Sequence, residues 1–216
     1  MESKKIKSQR KNKRYSLVIF VGIFLLFFST TYFIYDYYKK EQNDMNNVKK
    51  VETFFEEEQI TEKNEVQSEK VQEDKKVSKK AENYIGILEI PKIKLKRGIV
   101  DKKSSNNNVS KNIYVLKETK FPDEEQNSHI ILASHAGNSY ISFFKNLTKL
   151  SLKDKVYFFY KGNKYTYEIC NRYEIKKTGK AELKLTNTSD ITLISCINGT
   201  NKQVVYIAKL IDKQTY

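Results

Sequence analysis

The hydrophobic rhythm of the chain changes twice. Residues 16–35 read Ser-Leu-Val-Ile-Phe-Val-Gly-Ile-Phe-Leu-Leu-Phe-Phe-Ser-Thr-Thr-Tyr-Phe-Ile-Tyr, 20 residues without a charge, which predicts a helix long enough to cross a hydrocarbon core. Residues 36–83 are dominated by Glu, Lys, Gln and Asn, with Val48, Val51, Phe54, Phe55, Ile60, Val66, Val71 and Val77 thinly scattered and no Gly or Pro. That pattern predicts a solvated spacer, partly helical or disordered, because so few apolar side chains cannot offset the entropy of folding. The apolar spacing is too irregular for a heptad seam.

From Tyr84 onward the period shortens. Apolar runs of strand length recur between polar punctuation, and they predict strands over 84–90, 96–100, 113–115, 129–134, 155–160, 164–173, 191–196 and 204–210. Lys161-Gly162-Asn163 reads as a hairpin turn between two Tyr-rich runs, and Asn198-Gly199 as punctuation before the last strand. Ile141, Phe143, Phe144, Leu147 and Leu150 have the spacing of a short helix or helical turn. The expected fold is all-β, a barrel or sandwich with small helical insertions.

Charge orients this arrangement. The formal net charge of the 216-residue chain is +14. Lys4, Lys5, Lys7, Arg10, Lys11, Lys13 and Arg14 crowd the N-terminus against Glu2 alone. A basic flank before an apolar span stays cytoplasmic, and Tyr15, Tyr32, Tyr35, Tyr37 and Tyr38 suit the interfacial belts. A cleaved signal peptide would have a shorter apolar region and a small-x-small site after it. The expected layout is a cytoplasmic basic tail (1–15), a single-pass signal-anchor helix in the cell membrane (16–35), a charged extracellular stalk (36–83) and an extracellular folded domain (84–216). No basic stripe is interleaved with aromatics in a nucleic-acid motif, so no nucleic-acid partner is expected.

Candidate chemistry is sparse. The chain has two Cys and two His, which makes neither a disulfide framework nor a metal cluster, and no metal or cofactor is expected. Cys170, inside an alternating run, is expected to be a small buried side chain. His129, at the start of its strand, is expected to be structural. Cys196 and His135 stand apart, because each closes an apolar run just before a polar loop. A thiolate with an imidazole is the minimum equipment for acyl transfer through a thioester.

Four segments in order then resemble the sortase family. Residues 84–93 (Tyr-Ile-Gly-Ile-Leu-Glu-Ile-Pro-Lys-Ile) look like its opening strand, and Ile131-Leu132-Ala133-Ser134-His135 like its catalytic histidine strand. Phe144-Lys145-Asn146-Leu147, followed by Leu150, Leu152 and Asp154, resembles its helix-to-strand element. Thr192-Leu193-Ile194-Ser195-Cys196 is similar to its TLxTC motif, with Ser195 in place of Thr. The resemblance spans about residues 84–211 and implies an eight-stranded barrel that acts as a cysteine transpeptidase of Gram-positive cell-wall protein anchoring. It implies that Cys196 cleaves an LPXTG-like C-terminal sorting signal of a secreted protein and holds it as a thioester. It also implies that His135 moves the protons, and that an amine of a wall precursor or pilin lysine is the acceptor.

The chain departs from that pattern at one position. The family places an arginine at the start of the strand after the nucleophile loop, and here that position is Gln203, preceded by Lys202. An antiparallel hairpin would set Gln203 beside Cys196, where an amide donates hydrogen bonds without positive charge. Lys202 would face the opposite side. Neither Arg97 nor Arg172 can be placed at the site from sequence. Two other readings stay open: a catalytically impaired sortase-like domain that binds peptide or wall polymer, and a membrane-anchored structural protein with Cys196 merely packed.

Overall fold

Alternating burial along the second half of the chain curls eight strands into one sheet. The computed structural model describes residues 2–65, 84–124, 127–178 and 188–216, with side chains from residue 17 to 58 in the first stretch. The chain divides into two units, one up to Gln42 and one from Asn43 onward.

The first unit is the leading part of a helix, α1 (Glu2–Glu65). From Leu17 to Tyr38 its large apolar side chains are exposed, and it is long and apolar enough to cross a membrane. This is compatible with a single-pass anchor.

In the second unit the strands are β1 (Gly86–Ile90), β2 (Leu95–Ile99), β3 (Tyr114–Val115), β4 (His129–Ser134), β5 (Lys155–Tyr160), β6 (Asn163–Lys176), β7 (Asp190–Cys196) and β8 (Lys202–Thr215). Their order across the sheet is β2-β1-β5-β6-β8-β7-β4-β3. The sheet closes nearly into a barrel, and Asn112, just before β3, reaches its β2 margin. Its side-chain amide donates to the Gly98 carbonyl of β2, and its oxygen accepts from the Ile113 amide just before β3. Inside lie Leu88, Ile90, Ile130, Leu132, Phe158, Tyr167, Leu193 and Tyr206, all fully buried. The segment 139–150, expected as a short helix or helical turn, makes turns ending in a 3₁₀ turn, Leu147–Lys149.

Two local geometries explain how the long strands register. Lys161 and Gly162, both with positive φ (47° and 67°), make a two-residue turn between β5 and β6 whose twist matches the sheet. A register shift between Ile169 and Asn171 leaves Cys170 without a partner on β8. Cys170 is exposed rather than buried as expected, because the alternation that buries Tyr165, Tyr167 and Ile169 turns it outward.

The second unit also includes the helix residues 43–58, which pack on the barrel. Val51 and Phe54 are buried against Ile87, and Phe55 meets Phe159 edge-on with ring centroids 5.2 Å apart. Asn47 bonds twice to β2: its amide donates to the Lys96 carbonyl (3.0 Å), and its oxygen accepts from the Gly98 amide (3.2 Å). Tyr84 lies flat against Gly98, where a Cβ would fall 1.8 Å from its ring. Glu58 accepts from the Gly162 amide in the β5–β6 turn (2.9 Å) and from the Tyr216 hydroxyl.

Candidate active site

β4 and β7 are the parallel pair in the sheet, and this decides where the site lies. Their register runs from His129 beside Asp190 to Ser134 beside Ser195. The next residue on each strand is His135 and Cys196, so two parallel strands deliver an imidazole and a thiol at neighbouring ends. Both side chains are half-buried. At the far end of the pair, His129 Nδ1 lies 3.2 Å from the buried carboxylate of Asp190. That contact gives His129 a structural place remote from Cys196.

Alternation fixes the faces. Leu193 and Ile191 point into the core, so Ile194 and Cys196 point outward. The same outer face carries Ile131 and Ala133 of β4, Val205 of β8, and Tyr173 and Ile175 of β6. A second, largely buried apolar cluster therefore lies on this face of the strands, beside the ends that present His135 and Cys196.

Cys196 pairs with Gln203 across the β7–β8 hairpin, and Gln203 pairs in turn with Ile175. Gln203 thus stands on the outer face beside Cys196, as the sequence predicts. Lys202 faces the other way, with its ammonium 3.0 Å from Glu174, and Arg172 lies 3.1 Å from the same carboxylate. These two cations hold the Glu174 carboxyl below its ordinary range, and they lie on the opposite face from Cys196. Arg97 is buried on β2, where its guanidinium meets Asn43 and Asn112.

Two bonds tie the ends of the strands together. The Ser195 hydroxyl donates to the Ser134 carbonyl (2.8 Å), and the Asn198 amide donates to the Ala136 carbonyl (2.9 Å). The loop after Cys196 is thereby latched to the loop after His135. Asn198 was legible in the sequence only as a turn former, since its partner lies 62 residues away. The hairpin loop closes itself through the Ile197 amide on the Lys202 carbonyl (3.0 Å) and the Thr200 hydroxyl on the Ile197 carbonyl (2.9 Å). Among the described residues, no group of three or more His, Cys, Asp or Glu side chains could hold a metal ion.

Comparison with known proteins agrees with this architecture. A family model for the sortase domain matches residues 88–211. A search of curated proteins returns no significant match. Among solved structures, the fold is similar to sortase A of Listeria monocytogenes, with 19% identity, TM-score 0.52, and coverage of 62% of this chain and 90% of that one. It is also similar to the sortase D5 transpeptidase of Clostridium perfringens, at 23% identity and TM-score 0.51, covering 60% of this chain and 80% of that one. Sortase C of Streptococcus pneumoniae matches at 20% identity and TM-score 0.52, covering 61% and 70%.

Proposed function

The chain belongs to the sortase family, and from that premise we propose that it is a membrane-anchored cysteine transpeptidase with Cys196 as its nucleophile and His135 as its proton carrier. The observation that carries this reading is the in-register parallel pairing of β4 and β7, which ends both strands on one side at His135 and Cys196.

The reaction begins with attack of the Cys196 thiolate on the scissile carbonyl of a sorting signal similar to LPXTG, bound at the strand ends that present His135 and Cys196. The tetrahedral adduct collapses, the C–N bond breaks, and protonated His135 gives its proton to the departing amine. A thioester to Cys196 remains. An incoming amine, from a wall precursor or a pilin lysine, attacks it and loses a proton to His135. The C–S bond breaks, the new amide leaves, and the Cys196 thiolate and protonated His135 are regenerated, so no oxidant or cofactor enters the balance. Water in place of the amine would give hydrolysis. Gln203, beside Cys196 on β8, donates its side-chain amide to the oxyanion, a role in which a guanidinium would add charge. In this reading residues 1–15 remain cytoplasmic, 16–35 span the membrane, and the barrel works outside the cell.

Gln203 also favours a second reading, a sortase-like domain that binds sorting signals without turning them over. One experiment separates the two. The full chain in detergent micelles is incubated with a panel of sorting-signal peptides, and covalent adducts are sought by intact-mass spectrometry. Transpeptidation predicts an acyl adduct that disappears in Cys196→Ala and persists in Cys170→Ala. Binding of peptide by folded protein with no adduct across the panel favours the second reading.

A further inference from the structure

We propose that Arg97 is a positioning residue for the loop that carries His135, and that Asn43, on the helix preceding the barrel, sets Arg97. The functional part of this inference rests on the transpeptidase reading; the mechanical part does not.

The surroundings of Arg97 motivate it. The residue is 4% exposed, and a buried guanidinium is costly unless it is well paired. Its near partners are neutral. Nη2 donates to the Asn43 oxygen (2.7 Å), Nε donates to the Asn112 oxygen (3.4 Å), and Cζ lies 4.0 Å from the centroid of the Phe143 ring. The nearest carboxylate, Asp44, is 4.0 Å away and largely exposed. Burial accordingly lowers the Arg97 pKa from its ordinary value. An apolar side chain would fill this place at lower desolvation cost, so charge and planarity at this point serve something other than core packing.

Phe143 connects Arg97 to the site. It precedes Phe144, whose amide donates to the His135 carbonyl (3.1 Å). The loop that leaves His135 is thus closed onto His135 itself, and the Arg97 guanidinium is stacked on the residue next to that closure. Asn43 touches the same loop directly, with its amide 3.5 Å from the Tyr140 carbonyl. The planar guanidinium is what the arrangement uses. It lies over a ring while its edge donates to two amide oxygens, whereas an ammonium is a point charge with no plane to lay on the ring. Displacement of the His135 loop by even an ångström would slow an acyl step that depends on the imidazole meeting the leaving amine.

The test uses the full chain in micelles and three variants. Asn43→Ala removes the acceptor of Arg97. Asn43→Asp keeps an acceptor for Arg97, now charged, and gives up the long bond to Tyr140. Arg97→Lys keeps the charge and loses the planar stack. The first readout is hydrogen exchange at the Phe144 amide, which needs no turnover. Asn43→Ala and Arg97→Lys are expected to speed it about tenfold, with Asn43→Asp near wild type and the β5–β6 hairpin unchanged. The second is adduct formation with peptide, where about a tenfold lower maximal rate at unchanged half-saturating peptide is expected in the same two variants. Unchanged Phe144 exchange, or faster exchange spread equally over the whole barrel, overturns the proposal. So does altered exchange with an unaltered maximal rate. If the wild-type chain forms no adduct, the transpeptidase reading fails, and the Phe144 exchange still decides whether Arg97 holds the loop.

Discussion

The Ser195 hydroxyl donates a 2.8 Å hydrogen bond to the Ser134 carbonyl, one residue before each strand presents Cys196 and His135. Ser195 is 2% exposed, so the bond lies in a dry place where a missing donor is felt. Ser195→Ala is expected to cost about 1 kcal/mol in chemical denaturation and to slow adduct formation at Cys196. Ser195→Thr keeps the hydroxyl on a residue suited to a strand, and should retain both. Equal adduct rates in wild type and Ser195→Ala would show that this clasp does not set the thiol.

Gln203 tests what the oxyanion needs. It stands beside Cys196 on the outer face, whereas Lys202 is committed to Glu174 on the other. Gln203→Ala should slow the acyl step by about 10- to 1000-fold, measured by quenched-flow mass spectrometry. Gln203→Arg restores the family residue and should speed it. If Lys202→Ala has the larger effect, the donor is misassigned.

Gly98 is the point where α1, Tyr84 and β2 converge. A Cβ there would fall 1.8 Å from the Tyr84 ring while the Gly98 amide must still reach Asn47. Gly98→Ala should therefore cost about 1–3 kcal/mol through displaced packing, read as a lower Tm of the full chain. The paired change Gly98→Ala with Tyr84→Ala makes room for the methyl and should recover part of that loss. A Tm equal to wild type in Gly98→Ala alone would contradict the packing of Tyr84.

Asp123 gives the barrel a pH signature. Its carboxyl accepts from Lys161 and from the Tyr160 hydroxyl (2.6 Å), bonds that lower its pKa below the ordinary aspartate value. A depressed carboxyl pKa stabilises the fold at pH above the unfolded value, and this contribution is lost as pH falls through the folded value. Thermal melts of wild type should thus fall more steeply than those of Asp123→Asn below about pH 4. Parallel curves would show that Asp123 does not contribute.

Much of the barrel was legible because its strands obey a simple alternation. β4 and β5 occupy the residues their apolar runs predict, and the pairing of Cys196 with Gln203 follows from the turn signals around Asn198. β6 and β8 run longer than their apolar cores, since residues such as Glu174 and Lys202 pair across strands with no hydrophobic pattern to announce them. The parallel placement of β4 beside β7 is non-local, and no pattern within either apolar run announces it. Composition hid the packing of residues 43–58. Val51, Phe54 and Phe55 are too few to mark an amphipathic face, and Asn43 and Asn47 make contacts that read in sequence as solvated polarity. Arg97 escaped for the same reason, because its partners come from segments distant in the chain.

The two bonds from Asn47 to β2 have a consequence for any fragment of this protein. β2 is a marginal strand, and its Lys96 carbonyl and Gly98 amide point where another strand would pair. Asn47 occupies those groups with one side chain, so the helix guards the sheet against a second copy of itself. A barrel cut free before Tyr84 would lose that guard and also expose Ile87 and Phe159, which the helix covers. Truncation at the bench before Tyr84 would therefore leave the β2 groups and Ile87 uncovered together. Residues 43–58 thus close a sheet margin to further strand pairing while they cover its apolar neighbour.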